Sequence, residues 1–267
     1  MLKIAVCGAM GRMGSRIISL VIDDPDLELA GAVEYLGHEQ VGKDVGTALG
    51  HGTIGIKITD DLDKAIGAAD CVIDFSTPGA TMEHAHLAAA THVPLVIGTT
   101  SLGSGQLAEV KKLSKRIPIL LAPNMSVGMN VMFKVAADMA RHLPGYDVEI
   151  VEIHHRMKKD APSGTALRLA QAIADALGKN LRTVARYARH GNDVLRKEGE
   201  IGIQTVRAGD VIGEHTVYFG GFGERLEIAH KATSRDNFAR GALVAAKWLS
   251  QKKTGFYDMQ DVLGLRE

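Results

Sequence analysis

The sequence predicts an α/β chain in two parts, and three observations on its 267 residues carry that expectation. Through residues 1–125, short apolar runs alternate with stretches of helical spacing, the pattern of a doubly wound parallel sheet with helices on both faces. The first of these runs ends in a glycine loop that opens a helix. Late in the chain, three strand-like runs follow one another, which predicts a smaller α+β domain on a mixed, largely antiparallel sheet. The expected boundaries are 1–125 with 236–267 for the first domain and 126–235 for the second.

At the start, residues 3–7 form an apolar strand, Gly8-Ala9-Met10-Gly11-Arg12-Met13-Gly14 follows, and residues 15–22 have helical spacing. Gly8 suits the tight turn, Gly11 the close approach of backbone to a pyrophosphate, and Gly14 the packing of helix on strand. The helix N-terminus supplies N–H groups to phosphates. The spacing is GxxGxxG rather than GxGxxG, but a second strand at 27–33 ends in Glu34, about twenty residues on, where a carboxylate accepts hydrogen bonds from an adenosine ribose. That context predicts a Rossmann-like dinucleotide site.

Residues 35–53 are glycine-rich and irregular, with His38 and His51 read as surface residues. Strands are expected at 54–58, 71–75, 94–97 and 117–121, with helices at 62–68 and from about 81 to 90. Ligands in such sheets lie beyond the carboxyl ends of the strands. Phe75-Ser76-Thr77, Gly98-Thr99-Thr100 and Ala122-Pro123-Asn124-Met125 therefore line the same crevice as the glycine loop and face ribose and nicotinamide. His84, His86 and His92 lack acidic or Cys partners at metal spacing and read as helix-surface residues, so no metal site is expected.

Residues 126–142 form a helix capped by Ser126, with Val127, Val131, Val135 and Met139 as its apolar stripe. A strand at 148–153 runs into His154-His155-Arg156-Met157-Lys158-Lys159-Asp160-Ala161-Pro162-Ser163-Gly164-Thr165-Ala166, and a helix follows over 165–177. Ser163 is an N-cap candidate, and the N–H groups after it make an anion site. Two imidazoles, two ammonium groups and an open helix N-terminus suit a small, multiply negative substrate that also exchanges a proton. Strands are expected at 201–207, 214–219 and 225–231, a solvated charged loop at 182–202, and a helix at 235–249 with Phe238, Ala242, Ala245 and Leu249 on one stripe.

Bulk composition narrows the function. Hydrophobic residues make up 46% of the chain, enough for a full core. Lys+Arg and Asp+Glu are equal at 31 each, so no global positive field exists to hold nucleic acid or an anionic membrane. Cys7 and Cys71 lie in apolar runs without CxxC or metal spacing, which argues against disulfides and for a reducing cytoplasm. The chain runs straight into a strand without a signal segment, and no apolar run has membrane-spanning length.

Taken together, the glycine loop, Gly98-Thr99-Thr100, Asn124-Met125-Ser126-Val127-Gly128, the His154-to-Ala166 string and Gly223-Glu224-Arg225-Leu226-Glu227 resemble the 4-hydroxy-tetrahydrodipicolinate reductase (dihydrodipicolinate reductase) family of the diaminopimelate route to lysine. The resemblance spans nearly the whole chain, and the His-His to Ala-Pro-Ser-Gly-Thr string is its most specific part. It implies a homotetramer in which a dinucleotide domain and a substrate domain close over the reactants. By position it implies His154 as general acid and Lys158 as second proton donor or carboxylate partner. His155, Ser163, Gly164 and Thr165 would hold a small cyclic dicarboxylate. Gly8, Ala9, Met10, Gly11, Arg12, Met13, Glu34, Gly98, Thr99, Thr100, Ala122, Pro123, Asn124 and Met125 would hold NADH or NADPH.

One position departs from the pattern: where some members carry an Arg after the ribose-binding Glu, this chain has Tyr35. That leaves the choice between NADH and NADPH open. Two other readings compete. A different nicotinamide dehydrogenase would need a catalytic Cys or another Lys/Asp set, and a dinucleotide-sensing scaffold would have no use for the paired histidines, Lys158 and Ser163-Gly164-Thr165 together.

Overall fold

The computed structural model describes residues 1–266; Glu267, the expected end of the first domain, lies outside them. The chain divides into two compact units, Met1–Val127 with residues 235–266, and Gly128–Ser234. The first unit carries β1 (Leu2–Cys7), α1 (Gly14–Asp23), β2 (Leu27–Val33), α2 (Val45–Leu49), β3 (Ile58–Thr59), α3 (Leu62–Gly67), β4 (Cys71–Asp74), α4 (Pro78–Thr91), β5 (Leu95–Ile97), α5 (Ser104–Leu113) and β6 (Pro118–Leu121). Then α6 (Val127–His142), β7 (Asp147–His154), α7 (Gly164–Ala176), α8 (Leu181–Val184), β8 (Ala185–Arg186), β9 (Ile201–Arg207), β10 (Gly213–Gly220) and β11 (Arg225–Ala232) follow. The chain returns to the first unit with α9 (Asp236–Leu249), β12 (Gly255–Tyr257) and α10 (Met259–Val262).

All strands of the first unit pair in parallel, in the order β12-β6-β5-β4-β1-β2-β3. Helices cover both faces of such a sheet, so its strands read as nearly continuous apolar runs; β1, β4 and β5 are buried along most or all of their length. The strand order reverses between β1 and β4, which opens a crevice beyond their carboxyl ends. Several elements lie outside the expected set, α8, β8 and α10 among them. The helix α5 and the edge strand β12 were not marked by strong periodicity, and α2 interrupts the supposedly irregular 35–53 segment. Asp44 organises that segment by accepting the N–H groups of Thr47 (2.9 Å), Ile54 (3.3 Å) and Gly55 (2.7 Å). The strand expected over 54–58 shrinks to β3.

In the second unit the sheet order is β11-β10-β7-β9-β8, with two antiparallel and two parallel pairings. It is mixed, as expected, but evenly so. Met129, Met132, Phe133, Ile150, Leu169, Ile173, Ile203, Val217 and Phe219 share its core. The stripe expected on α6 is therefore corrected: Val127, Val131 and Val135 are each 37% exposed, while Met129, Met132, Phe133, Ala136 and Ala140 are buried. The helix is apolar on two faces, and the bulkier residues, at equally good helical spacing, took the core. The 182–202 segment is not merely solvated either. Arg189 pairs with Glu149 at 2.8 Å and Glu200 at 3.0 Å, and Arg196 pairs with Asp147 at 2.8 Å and Glu149 at 3.2 Å, fastening the segment to the start of β7.

Candidate active site

The crevice of the first unit is made largely of backbone. Gly8, directly after β1, has φ +77°, and a Cβ there would lie 2.6 Å from the Phe75 carbonyl oxygen beyond β4. The N–H groups of Gly8 and Ala9 donate to the Val33 carbonyl, each at 3.0 Å, and that of Gly11 to the Gly8 carbonyl at 3.1 Å. A Cβ on Gly14 would come within 2.0 Å of the Gly8 carbonyl oxygen, so the start of α1 packs directly on the loop. Glu34 follows β2 and accepts the Met10 N–H at 2.7 Å and, through its other oxygen, the Tyr35 N–H at 3.3 Å. Beside them opens a cleft of about 450 Å³, lined among others by Gly8, Gly11, Glu34, Tyr35, Ser76 and Thr77. Its glycine turn, carboxylate and hydroxyls fit an adenosine nucleotide. Arg12 stands exposed on the loop, and Met13 precedes the first turn of α1.

The other strand ends expected here divide into surface and support. Thr100 and Pro123 are exposed and Asn124 half-buried, whereas Gly98, Thr99, Ala122 and Met125 are buried. A Cβ on Gly98 would strike the Phe75 ring at 2.1 Å, and one on Gly241 would meet the Met125 carbonyl oxygen at 1.8 Å. The Thr99 hydroxyl donates to Asp74 at 3.2 Å. Asp74, fully buried at the end of β4, also accepts from Ser76 Oγ at 2.6 Å, from Thr81 Oγ1 and from His84 Nδ1 at 3.1 Å. His84 is thus corrected from a surface residue to a buried partner of Asp74, which alternates with no other polar residue in its apolar strand and so left no signal. Cys7 keeps the apolar setting expected of it. It is the last residue of β1, but it is wholly buried, and burial followed by the charges of Asp74 and Glu34 pushes its thiol well above the usual value. Such a thiol is no nucleophile.

The second unit gathers side chains instead. His154 ends β7, buried, and its Nδ1 bonds to Glu152, which is fully buried two residues earlier on the same face. The Glu152 carboxylate also accepts both Arg207 Nη groups, each at 2.9 Å, and the Ser163 N–H at 3.0 Å. Burial by itself raises the Glu152 carboxyl; the bonds from His154, Arg207 and Ser163 outweigh it and bring the pKa down to about 2. His215 packs edge-on against His154 with ring centres 5.2 Å apart and shares a 3.2 Å hydrogen bond with Ser163 Oγ. Burial, then the nearby His154 charge, lowers its pKa to about 3, so it is a neutral ring at pH 7.

With Nδ1 engaged, Nε2 is the His154 nitrogen left for substrate. Gly213 faces it, and a Cβ there would lie 3.0 Å from Nε2. The loop beyond is pinned by backbone: His155 N–H donates to Val211 at 2.7 Å and Arg156 N–H to Gly209 at 3.1 Å. Lys158 Nζ reaches Asp160 at 2.8 Å. The Ala161–Pro162 peptide is cis. Ser163 caps α7, its Oγ accepting the Ala166 N–H at 3.1 Å. Its N–H and its hydroxyl both make hydrogen bonds inside the protein. Gly164 is exposed and Thr165 half-buried at the first turn.

Glu152, Arg207, His215 and Asp74 were missed from the sequence. The period of a strand puts Glu152 on the His154 face and could have found it. Arg207 reaches Glu152 only because β9 pairs in parallel with β7 and sets Arg207 at the end of that strand, opposite His154.

Comparisons with known proteins agree across the chain. Residues 2–125 match the family model described as dihydrodipicolinate reductase, N-terminus, and residues 128–263 the one described as dihydrodipicolinate reductase, C-terminus. The chain is 51% identical over 267 residues, covering 100% of both chains, to a 4-hydroxy-tetrahydrodipicolinate reductase of Geotalea uraniireducens. It is 52% identical, again over 100% of both, to one of Syntrophus aciditrophicus. Among solved structures, a dipicolinate-bound dihydrodipicolinate reductase from Paenisporosarcina sp. TG-14 superposes with a TM-score of 0.78 at 26% identity, covering 98% of each chain. An amine dehydrogenase from Mycobacterium smegmatis shares the fold at TM-score 0.62 and 14% identity, over 96% of this chain and 94% of that one.

Proposed function

The chain belongs to the dihydrodipicolinate reductase family, and we propose that His154 is the proton donor of its reaction, oriented by Glu152. It is a nicotinamide-dependent reductase that converts 4-hydroxy-tetrahydrodipicolinate to tetrahydrodipicolinate on the route to diaminopimelate and lysine. The substrate's 4-hydroxyl leaves as water to give the conjugated ring, and when bound the nicotinamide supplies a hydride to that ring. The chain then has to quench the negative charge this leaves. His154 gives up a proton from Nε2, while the Glu152 carboxylate, bonded to Nδ1, orients the ring. Arg207 and the Ser163 N–H keep Glu152 ionised. His215, neutral and buried, walls the ring without competing for the proton.

Lys158, with the N–H groups of Gly164 and Thr165, holds one ring carboxylate, and His155 lies beside them. Lys158 is close enough in chain to serve as a second proton source. In the first unit, the glycine loop and Gly98-Thr99-Thr100 take the pyrophosphate and nicotinamide sides of the cofactor, Ala122-Pro123-Asn124-Met125 backs the ring, and Glu34 takes the ribose hydroxyls. NADH is used at least as well as NADPH, since Tyr35 brings no charge to a 2′-phosphate. A homotetramer associating through the second unit is supported by the exposed Leu226 on the edge strand β11 and by Phe222 on the turn before it. Two buried free cysteines suit a reducing cytoplasm.

The observation that carries this reading is the Glu152–His154 pair at the end of β7, in a chain that matches the family along its full length. Its test is an assay of the purified protein in which loss of NADH absorbance depends on dihydrodipicolinate precursor generated in situ, repeated with His154→Ala and His154→Gln. Full turnover in both variants would remove His154 from the reaction.

A further inference from the structure

The anchor proposed for the substrate carboxylate already holds a carboxylate of the chain itself. Lys158 Nζ lies 2.8 Å from Asp160 Oδ1, and the same carboxylate accepts the N–H of Gly164, the first residue of α7. The partners are unequally placed: the Lys158 side chain is 21% exposed and that of Asp160 58%. The lysine is set into the site, and the aspartate reaches it from the solvent side.

The Asp160 backbone carbonyl accepts Arg207 Nη2 at 2.6 Å, which holds the main chain there but does not need the carboxylate. The cap of α7 is Ser163 Oγ, and the Ser163 N–H goes to Glu152. The helix start is therefore complete without Asp160, and an ion pair this exposed exchanges readily. Partial burial raises the Asp160 carboxyl, but the Lys158 contact and the backbone N–H groups bring it below its usual value, so it is an anion at neutral pH.

We infer that Asp160 is a placeholder, which occupies the Lys158–Gly164 anion site until a carboxylate of the substrate displaces it. This rests on the reading of Lys158 and Gly164 as substrate anchors. A small inorganic anion gains at this site only what Asp160 already supplies, so it displaces Asp160 poorly. A planar ring with two carboxylates brings further contacts and displaces it. Asp160 thus lowers occupancy by every anion alike, which keeps weakly held phosphate out, while the discrimination itself comes from the further contacts of the ring.

The test is calorimetric titration of pyridine-2,6-dicarboxylate, and separately of inorganic phosphate, into the unmodified protein, Asp160→Asn, Asp160→Ala, Lys158→Ala and the Lys158→Ala/Asp160→Asn double variant. Both Asp160 variants should bind the dicarboxylate roughly two- to fivefold tighter, the worth of an exposed ion pair, and phosphate by at least that factor. In the Lys158→Ala background the gain should vanish. Unchanged or weaker binding in both Asp160 variants overturns the inference. So does a gain of the same size without Lys158, which would be through-space repulsion of the dianion. If Lys158→Ala alone leaves dicarboxylate affinity intact, the anchor itself is misplaced and the reading beneath the inference fails.

Discussion

The crevice of the first unit is shaped by a glycine turn whose backbone hydrogen bonds hold it in place, whereas the site of the second gathers two histidines, a glutamate and an arginine around one strand end. The difference separates two ways of failing. A backbone site breaks when a Cβ is forced into it, as Gly14 shows with 2.0 Å to the Gly8 carbonyl oxygen. A site of titratable side chains breaks when a proton or a partner is lost, with the fold otherwise intact. The same contrast separates binding from chemistry, since removal of a group in the second unit should cost turnover before it costs cofactor affinity.

The largest expected effect follows from that separation. His154→Ala should lower kcat by ~10²- to 10⁴-fold, the usual worth of a positioned general acid. Dinucleotide affinity, measured by fluorescence titration, should hardly move. A comparable loss in both would mean that the two sites do not divide binding from chemistry as described.

Next comes Glu152→Gln, which keeps shape but gives His154 Nδ1 and Arg207 a neutral partner. Loss of an orienting partner costs roughly 10- to 100-fold in activity, and an uncompensated Arg207 lowers stability by about 3 kcal/mol. The distinguishing readout is the pH profile: kcat should fall with its acid and base limbs displaced, while KM for the dinucleotide stays put. A stability loss with an unshifted profile would reduce Glu152 to a structural residue.

Acid should then unfold the second unit selectively. Glu152 has its pKa lowered to about 2, so its stabilisation is full above the ordinary carboxylate range and is lost as pH falls through that range toward 2. His215, lowered to about 3, stays neutral when folded but protonates near 6.5 when unfolded, so it too favours unfolding as pH falls below about 6.5. The two act in the same direction. Between pH 7 and pH 4, protection of backbone amides, with exchange referred to its intrinsic rate at each pH, should be lost first in β7, β9 and β10, before the fluorescence of Trp248 in the first unit changes. His215→Gln should narrow that gap. Simultaneous opening of both units would count against the contrast.

The two regions also differ in how much of them could be read from residue order. The glycine loop and Glu34 are visible because a backbone site is written in contiguous residues and in one strand that follows them. His154, Lys158 and the Ser163 cap are visible for the same reason. Arg207 and His215 are not, because only the pairing of β7 with β9 and β10 brings them to Glu152 and His154. The α6 stripe shows another limit. Periodicity finds that a helix has an apolar face, but not which of two it buries, because that depends on the volume of what it packs against. Asp74 with His84, and Arg189 with Glu149, are polar pairs whose partners are distant in sequence, so burial of each was invisible one residue at a time.

The smallest effect concerns the one part of the backbone-built crevice where a side chain decides. Glu34 holds the Met10 N–H with one oxygen and the Tyr35 N–H with the other, which fixes its carboxylate at the end of β2 with lone pairs left for both ribose hydroxyls of NADH. The 2′-phosphate of NADPH removes one of those donors and sets an anion against the carboxylate. Tyr35 is 69% exposed and offers no charge in return. Arg12, exposed on the glycine loop, is the nearby cation that can answer the phosphate. NADH should therefore be used at least as well as NADPH, and kcat/KM for NADPH should fall more steeply with added salt, since an exposed Arg–phosphate contact is screened within ~10 Å at 0.1 M. Tyr35→Arg should move the ratio of kcat/KM toward NADPH by roughly fivefold, about 1 kcal/mol for an exposed charge pair. A strong NADPH preference in the unmodified protein, unaltered by Arg12→Ala, would place the phosphate on another group and remove Tyr35 from the choice.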